Sequence, residues 1–534
     1  MGSNLFPVDI WSIKEYGIEK WYENYTSLPV TEEEKYSIYL TLYRHYSDLI
    51  LASDRTSADL LIVLYKLLME YHLVLYSLLT AARSHERGYT VLADGKKRTF
   101  IAGMYENEIE GIFIKDKNLL NPDYPKYRNN LTNKLKMSAR RFKYRLNNDV
   151  YSLPLGKVNE LLSYGYPKPT LIEYARDQKK RIKLIYPYPM KKKHDVDNHS
   201  EGLCVKLLDI VKDVAREYDI VIPEKYFSYL NKITTSSLVD VSELVTSFST
   251  ILKEISPTEV LVPAFGRTDV RALCVAAKNT GHKIVGSTHG SNVGFYKHHD
   301  WYNIDLCLSD KYIVPSSAAV QAMKNYQKTF KLSKRYSANI FSHGTNNLSL
   351  LTNQLKNDKI PNEYRNIMVV EFAQTPYLLP QPMLTGYFQL WLNIRIANTL
   401  RDAGYNTIIK VHPDRLAETA GIYDKYFDKV ITERFETSYK IADAFVFPEI
   451  ASSTFPFALM TNRKVLIFET SMNNFIIEHA HNHLRKRAAV IDSKFDKRGN
   501  FIFNDSDLTK NLSGKPVKPD YGIIEKFYIN DVKA

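Results

Sequence analysis

Over residues 367–370, 407–411, 444–447 and 464–468 the chain reads IMVV, TIIKV, AFVF and KVLIF. Runs of this length and uniform apolarity suit strands buried on both faces, as in a parallel sheet. A further short run, KVIT, occupies 429–432, and helical patterns fill the intervals 386–403, 417–426 and the stretch from Ser452-Ser453-Thr454 to just before Asn462. An earlier block alternates in the same way. A strand over 258–262 is followed by a helix over 268–280, closed by Gly281 as a stop signal, and a strand over 282–289. The runs 304–308 and 311–314 read as short strands and 316–327 as a helix. This β-α-β order implies right-handed crossovers and parallel pairing.

Upstream, residues 1–50 read as helical, with Thr31-Glu-Glu-Glu34 matching a capping box. A long helix over 57–83, a strand over 88–93, a basic strand within 179–186 and helices over 203–218 and 239–255 follow. The expected class is α/β: two Rossmann-like domains facing a cleft, with helical N-terminal additions. The expected division is a first domain over 1–345, a second over 346–480, and a tail over 481–534 that packs back on the first domain, with the acceptor expected on the first domain and the nucleotide-sugar donor on the second.

With 534 residues, 44% of them hydrophobic, the chain has enough apolar surface for two or three cores. No run approaches the roughly 18 uninterrupted apolar residues of a membrane span. The N-terminus shows no signal-peptide pattern, and Phe6 stands where a myristoylation signal requires Ser or Thr. Cys204, Cys274 and Cys307 are too few and too scattered for a disulfide framework, which suits a reducing, cytoplasmic setting. Net charge is +13. It clusters most clearly in 126–146, where KYRNNLTNKLKMSARRFKYR holds eight basic residues and no acidic one. Leu131, Leu135, Phe142 and Leu146 recur there at helical spacing, so the segment reads as a basic amphipathic helix. Such a helix can lie on an anionic membrane surface, at the inner face of the cytoplasmic membrane, or pack on the domain as a solvated face. No nucleic-acid-binding motif accompanies it.

Three strand-end motifs carry candidate chemistry, since ligands in open α/β sheets bind outside the carboxyl ends of the strands. In STHGSNVG, His289, Gly290 and Ser291 follow a strand. In KVHPDR, Lys410, His412, Pro413 and Arg415 gather cations at a strand end. In PEIASST, Glu449 can accept from hydroxyls, while Ser452, Ser453 and Thr454 open a helix whose N–H groups favour an anion. Each motif taken alone also occurs as an ordinary turn or helix cap.

In combination, His289-Gly290, His412-Pro413 and Ser452-Ser453-Thr454 resemble the GT-B glycosyltransferases of bacterial surface polysaccharide assembly. That group includes capsule and lipopolysaccharide transferases using CMP-activated 3-deoxy-octulosonic or sialic-type acids, and the teichoic-acid polymerases using CDP-glycerol. The resemblance covers roughly 258–469. It implies that the His-Pro and Ser/Thr elements hold the donor phosphate while the His-Gly turn faces the reaction centre. The expected function is metal-independent sugar transfer from a nucleotide-activated donor, CMP-linked by preference, to a surface-glycan or lipid-linked acceptor. His289 is the leading base, with Asp94 and Asp269 behind it, and Arg267 is suited to an acidic acceptor or a donor carboxylate. No metal site and no cofactor beyond the nucleotide-sugar co-substrate are expected. The alternatives are a polyol-phosphate transferase using CDP-glycerol, a sugar-nucleotide epimerase, and a non-catalytic membrane- or RNA-binding scaffold.

Overall fold

Both blocks of apolar runs form parallel sheets in the computed structural model, which describes residues 4–24, 29–93, 112–114, 161–164, 167–185, 198–288, 305–343, 346–372, 386–450, 452, 454–469, 476, 478–497 and 499–529. The first sheet has six strands: β4 (Leu161–Tyr164), β5 (Ile182–Ile185), β6 (Glu259–Val262), β7 (Lys283–Ser287), β8 (Lys311–Val314) and β9 (Asn339–Ser342). They lie in the order β5-β4-β6-β7-β8-β9, every pair parallel. The second comprises β10 (Asn366–Val370), β11 (Asn406–Lys410), β12 (Lys429–Ile431), β13 (Ala444–Phe447), β14 (Lys464–Glu469), β15 (Ala488–Phe495) and β16 (Phe501–Phe503). Its order is β12-β11-β10-β13-β14-β15-β16, and only the last pair is antiparallel. The fold is thus α/β with two Rossmann-like sheets, as expected.

Each sheet is covered on both faces, which is why its strands read as unbroken apolar runs. In β10, Ile367 and Val369 enter one core and Met368 and Val370 the other. In β6, Val260 and Val262 face away from Leu261 in the same manner. A fully buried aliphatic side chain of this kind contributes roughly 1.5–3 kcal/mol.

The strand order reverses at one place in each sheet. From β4 the chain goes to β5 on one side and then to β6 on the other. From β10 it goes to β11 and β12, then returns to β13 on the opposite side of β10. The carboxyl ends at these switch points are where a crevice opens in such folds.

Several local expectations change. The helix expected over 57–83 is two helices, Arg55–Val63 and Leu67–Glu86, separated by a tighter turn at Leu64–Lys66. The strand expected over 304–308 is a helical turn where it is described: Ser309 Oγ donates to the Asp305 carbonyl four residues back. The helix expected over 417–426 is reduced to Leu416–Thr419 and a turn at Tyr423–Lys425. The capping box is present, with Thr31 and Glu34 satisfying each other's N–H groups. Gly281 ends its helix with φ +82°.

The N-terminus departs most from the expected division. Asn4–Pro7 forms β1 of a small parallel sheet with β2 (Tyr89–Ala93) and β3 (Ile112–Ile114). Phe6, Ile10, Ile13 and Trp21 belong to the core of the second lobe, and the Trp21 ring sits edge-on to Tyr387 at 5.0 Å. Residues 32–86, by contrast, pack into the core of the first sheet. The arm assigned to 1–345 therefore straddles both lobes. Residues 481–534 likewise mostly complete the second lobe through β15, β16 and the helix Asp505–Leu512. Among the described residues of this tail, the helix Gly522–Phe527 reaches the first lobe, where Ser316 Oγ donates to the Phe527 carbonyl at 3.0 Å. A cavity of about 400 Å³ lies at this junction, lined by Ser316, Ala318, Glu525, Lys526 and Ile529 among others. Among the described residues, no helix is long and apolar enough to cross a membrane.

Candidate functional site

The carboxyl end of β10 passes directly into Glu371, whose backbone N–H donates to the Lys410 carbonyl at the end of β11 (3.0 Å). Parallel pairing thus brings Glu371 beside the His412-Pro413 turn. The Glu371 carboxylate is buried and serves three donors. Its Oε2 accepts from the His412 backbone N–H at 3.1 Å, and its Oε1 accepts from Tyr423 Oη at 2.6 Å and lies 3.2 Å from Arg415 Nη1. Asn393 Nδ2 donates to Tyr423 Oη at 3.0 Å, Arg415 Nε to Glu418 at 3.0 Å, and Arg415 Nη1 also to Gln389. Burial raises the Glu371 pKa, and Arg415, Tyr423 and the His412 N–H act against that rise.

This network corrects the expected role of Arg415. Its side chain has no exposed surface and pairs through Nε and Nη1 with two carboxylates, so it braces the turn from below, with Nη2 left without a partner among the described residues. Burial opposes its charge, yet Glu371, Tyr423 and Glu418 outweigh burial and hold its pKa above the ordinary value. Lys410 is also mostly buried. Its Nζ donates to the Val411 carbonyl at 2.6 Å, and its pKa is lowered by burial against the pull of Glu371, Glu436 and Glu433. His412 is half-buried and Pro413 exposed at the tip of the turn.

On the other side of the second switch point, β13 leads through Pro448 to Glu449, which is 2% exposed, and then to Ser452 and Thr454, both half-buried. The helix that follows, Thr454–Met460, has only seven residues. The structure thus brings Lys410 and His412, after β11, and Glu449, Ser452 and Thr454, after β13, to the carboxyl ends of the two strands that flank β10. Ser453 lies outside the described residues, as do His289, Gly290, Ser291, Asp94 and the basic segment 126–146.

In the first lobe, Arg267 and Asp269 follow β6. Arg267 Nε donates to Asp269 Oδ1 at 2.9 Å, a second guanidinium contact reaches Oδ2, and the Val270 N–H donates to Oδ1 at 3.0 Å. Oδ1 of Asp269 thus accepts an N–H at the start of the helix Thr268–Asn279 while Oδ2 is held by Arg267, which argues against its expected use as a base. One participant, Glu371, belongs to none of the three motifs; the signal that could have flagged it is a charged residue directly after the first strand of a βαβ unit.

No protein-family model matches the chain, and no curated protein does. Among solved structures, a glycosyltransferase from Rickettsia africae is 12% identical over 70% of this chain and 95% of its own, with a TM-score of 0.36. The UDP-GlcNAc 2-epimerase from Methanocaldococcus jannaschii is 12% identical over 68% and 94%, with a TM-score of 0.34. The lipopolysaccharide outer core galactosyltransferase WaaB is 13% identical over 70% and 95%, with a TM-score of 0.35. Overlaps this loose transfer no chemistry, so the reading of the site rests on its own atoms.

Proposed function

We propose that the chain is a metal-independent glycosyltransferase that moves a sugar from a nucleotide-activated donor, CMP-linked by preference, to a surface-glycan or lipid-linked acceptor. The observation that carries this reading is the half-buried His412 turn, braced by Glu371 at the switch point of the second sheet, next to Lys410 and with Ser452 and Thr454 following β13 on the other side of β10. As the bond to the leaving phosphate breaks, negative charge grows on that phosphate, and preorganised donors at a strand end stabilise it. His289 would serve as base toward the acceptor hydroxyl, and the segment 126–146 would hold the enzyme at the inner face of the cytoplasmic membrane.

The charge inventory supports a monophosphate leaving group over a diphosphate. Arg415 is already paired, Lys410 is mostly buried, and Glu371 and Glu449 contribute two acidic side chains nearby. The connecting segments 373–385 and 470–477 contain no Lys, Arg or His. A sparse set of cations suits the single negative charge of a phosphodiester better than the two of a diphosphate. Calorimetric titration with CMP, CDP, UDP and GDP tests the reading, with CMP expected to bind tightest. His412→Ala should lower transfer at least about tenfold with the fold intact, equivalent to roughly 1.4 kcal/mol of transition-state stabilisation. Full turnover by the folded variant, or no binding of any nucleotide by the wild type, removes the assignment.

A further inference from the structure

The switch point of the first sheet holds a lysine that nothing above employs. Lys168 follows β4 and stands between Pro167 and Pro169, at the start of the nine-residue helix Pro169–Asp177. The proline after it confines its backbone to the extended region, and φ −73°, ψ 160° is observed. Its Nζ donates to the Thr288 carbonyl at 2.5 Å. Thr288 is the residue that leaves β7, and β6 lies between β4 and β7. The Lys168 ammonium therefore sits beside the carboxyl end of β7, two strands from β4. That is the mouth of the crevice in the first lobe.

The ammonium is under-satisfied there. It has three donors, and among the described residues it makes one hydrogen bond, to a neutral carbonyl. Burial lowers its pKa to about 8, opposed only by the field of Asp305. Asp305 is fully buried and makes no contact with Lys168 within ion-pair distance. Tyr312 Oη donates to its Oδ2 at 2.9 Å, and its Oδ1 has no partner among the described residues. A mostly buried cation with spare donors gains from an anion delivered by a ligand.

We infer that Lys168 is a binding residue for a carboxylate or phosphate group of the acceptor, held beside the carboxyl end of β7. The inference rests on the reading of the first lobe as the acceptor lobe, and it deepens that reading by naming an acidic acceptor. By holding the Thr288 carbonyl, the same side chain also ties the anion to the segment that leads into His289.

The test is calorimetric titration of inorganic phosphate and of glucuronate, separately, into wild type, Lys168→Met and Lys168→Arg, with melting curves and a CMP titration on each. At least one anion should bind wild type about tenfold or more tightly than Lys168→Met, with Lys168→Arg close to wild type. Phosphate alone marks a phosphorylated acceptor, and glucuronate alone a uronic- or ulosonic-type sugar acid. Equal anion affinity in wild type and a normally melting Lys168→Met overturns the inference, as does a wild type that binds neither. Failure of CMP to bind any of the three proteins strikes the donor reading of the second lobe instead. Should Lys168→Met fold poorly, amine acetylation mapped by mass spectrometry reads the contact on wild type. Lys168 should be modified in plain buffer and protected by the anion that binds, and equal modification with and without both anions refutes the contact.

Discussion

Each lobe carries a buried acid and a buried or half-buried base, but the two sets are finished differently. In the second lobe the cluster is closed. Both oxygens of Glu371 are engaged, and Arg415 is paired at 3.2 Å with Glu371 and at 3.0 Å with Glu418. In the first lobe it is open. Lys168 holds one carbonyl, and Asp305 keeps an oxygen without a partner among the described residues. The closed cluster fixes the shape of the turn above it through the three donors on Glu371, although Arg415 Nη2 and Gln389 Nε2 have no partner among the described residues. An open one has hydrogen-bonding capacity left for a ligand. Charged residues in two similar sheets thereby acquire different roles.

Breaking the closed cluster should have the largest effect. Arg415→Met leaves Glu371 and Glu418 without their cation, and the loss of an ion-pair partner from a buried site costs about 3–5 kcal/mol. Denaturant unfolding reads this directly, and a loss within experimental error would mean the network is not closed. Glu371→Gln keeps the shape but offers one good acceptor where the His412 N–H, Tyr423 and Arg415 need more. We expect a loss of about 1–3 kcal/mol, together with CMP binding weaker by more than Glu449→Gln causes. Equal nucleotide affinity in both variants would confine Glu371 to stability.

The open cluster should answer mainly to pH. Burial pushes the Asp305 carboxyl up to about 6 from an ordinary 3.8, so the folded state holds its proton more tightly than the unfolded chain. The stability this group contributes is present below about pH 4 and is lost as pH rises through about 6. Asp305→Asn removes that decline. Above pH 6 the variant should match or exceed wild type, by at most on the order of 3 kcal/mol, and parallel stability curves from pH 3.5 to 7 would exclude the effect. Lys168 has the opposite sign in a different window. Its pKa is lowered to about 8, so its burial penalty is relieved as pH rises from about 8 toward 10.5.

Much of this fold was legible from local pattern. β10, β11, β13 and β14 appear within a residue or two of their apolar runs, because strands buried on both faces need no partner to be recognised. The Thr31 capping box and the Gly281 stop were equally local. Misreadings arose where several short elements share one stretch. The 64–66 turn interrupts an apolar helical pattern without a Gly or Pro, and 304–308 is apolar enough for a strand yet turns so that Asp305 and Ser309 can bond. At the site, the His412-Pro413 turn was visible as a motif, but the carboxylate that braces it was not, since Glu371 meets it only through the pairing of β10 with β11.

Periodicity and turn chemistry, which act within a few residues, determined by themselves that this chain builds two α/β units and where their strands end. Which charged groups face a ligand was decided only by the tertiary structure. Burial and ion pairing join residues far apart in sequence, and they turned Arg415 into a buried brace while leaving Lys168 with donors to spare.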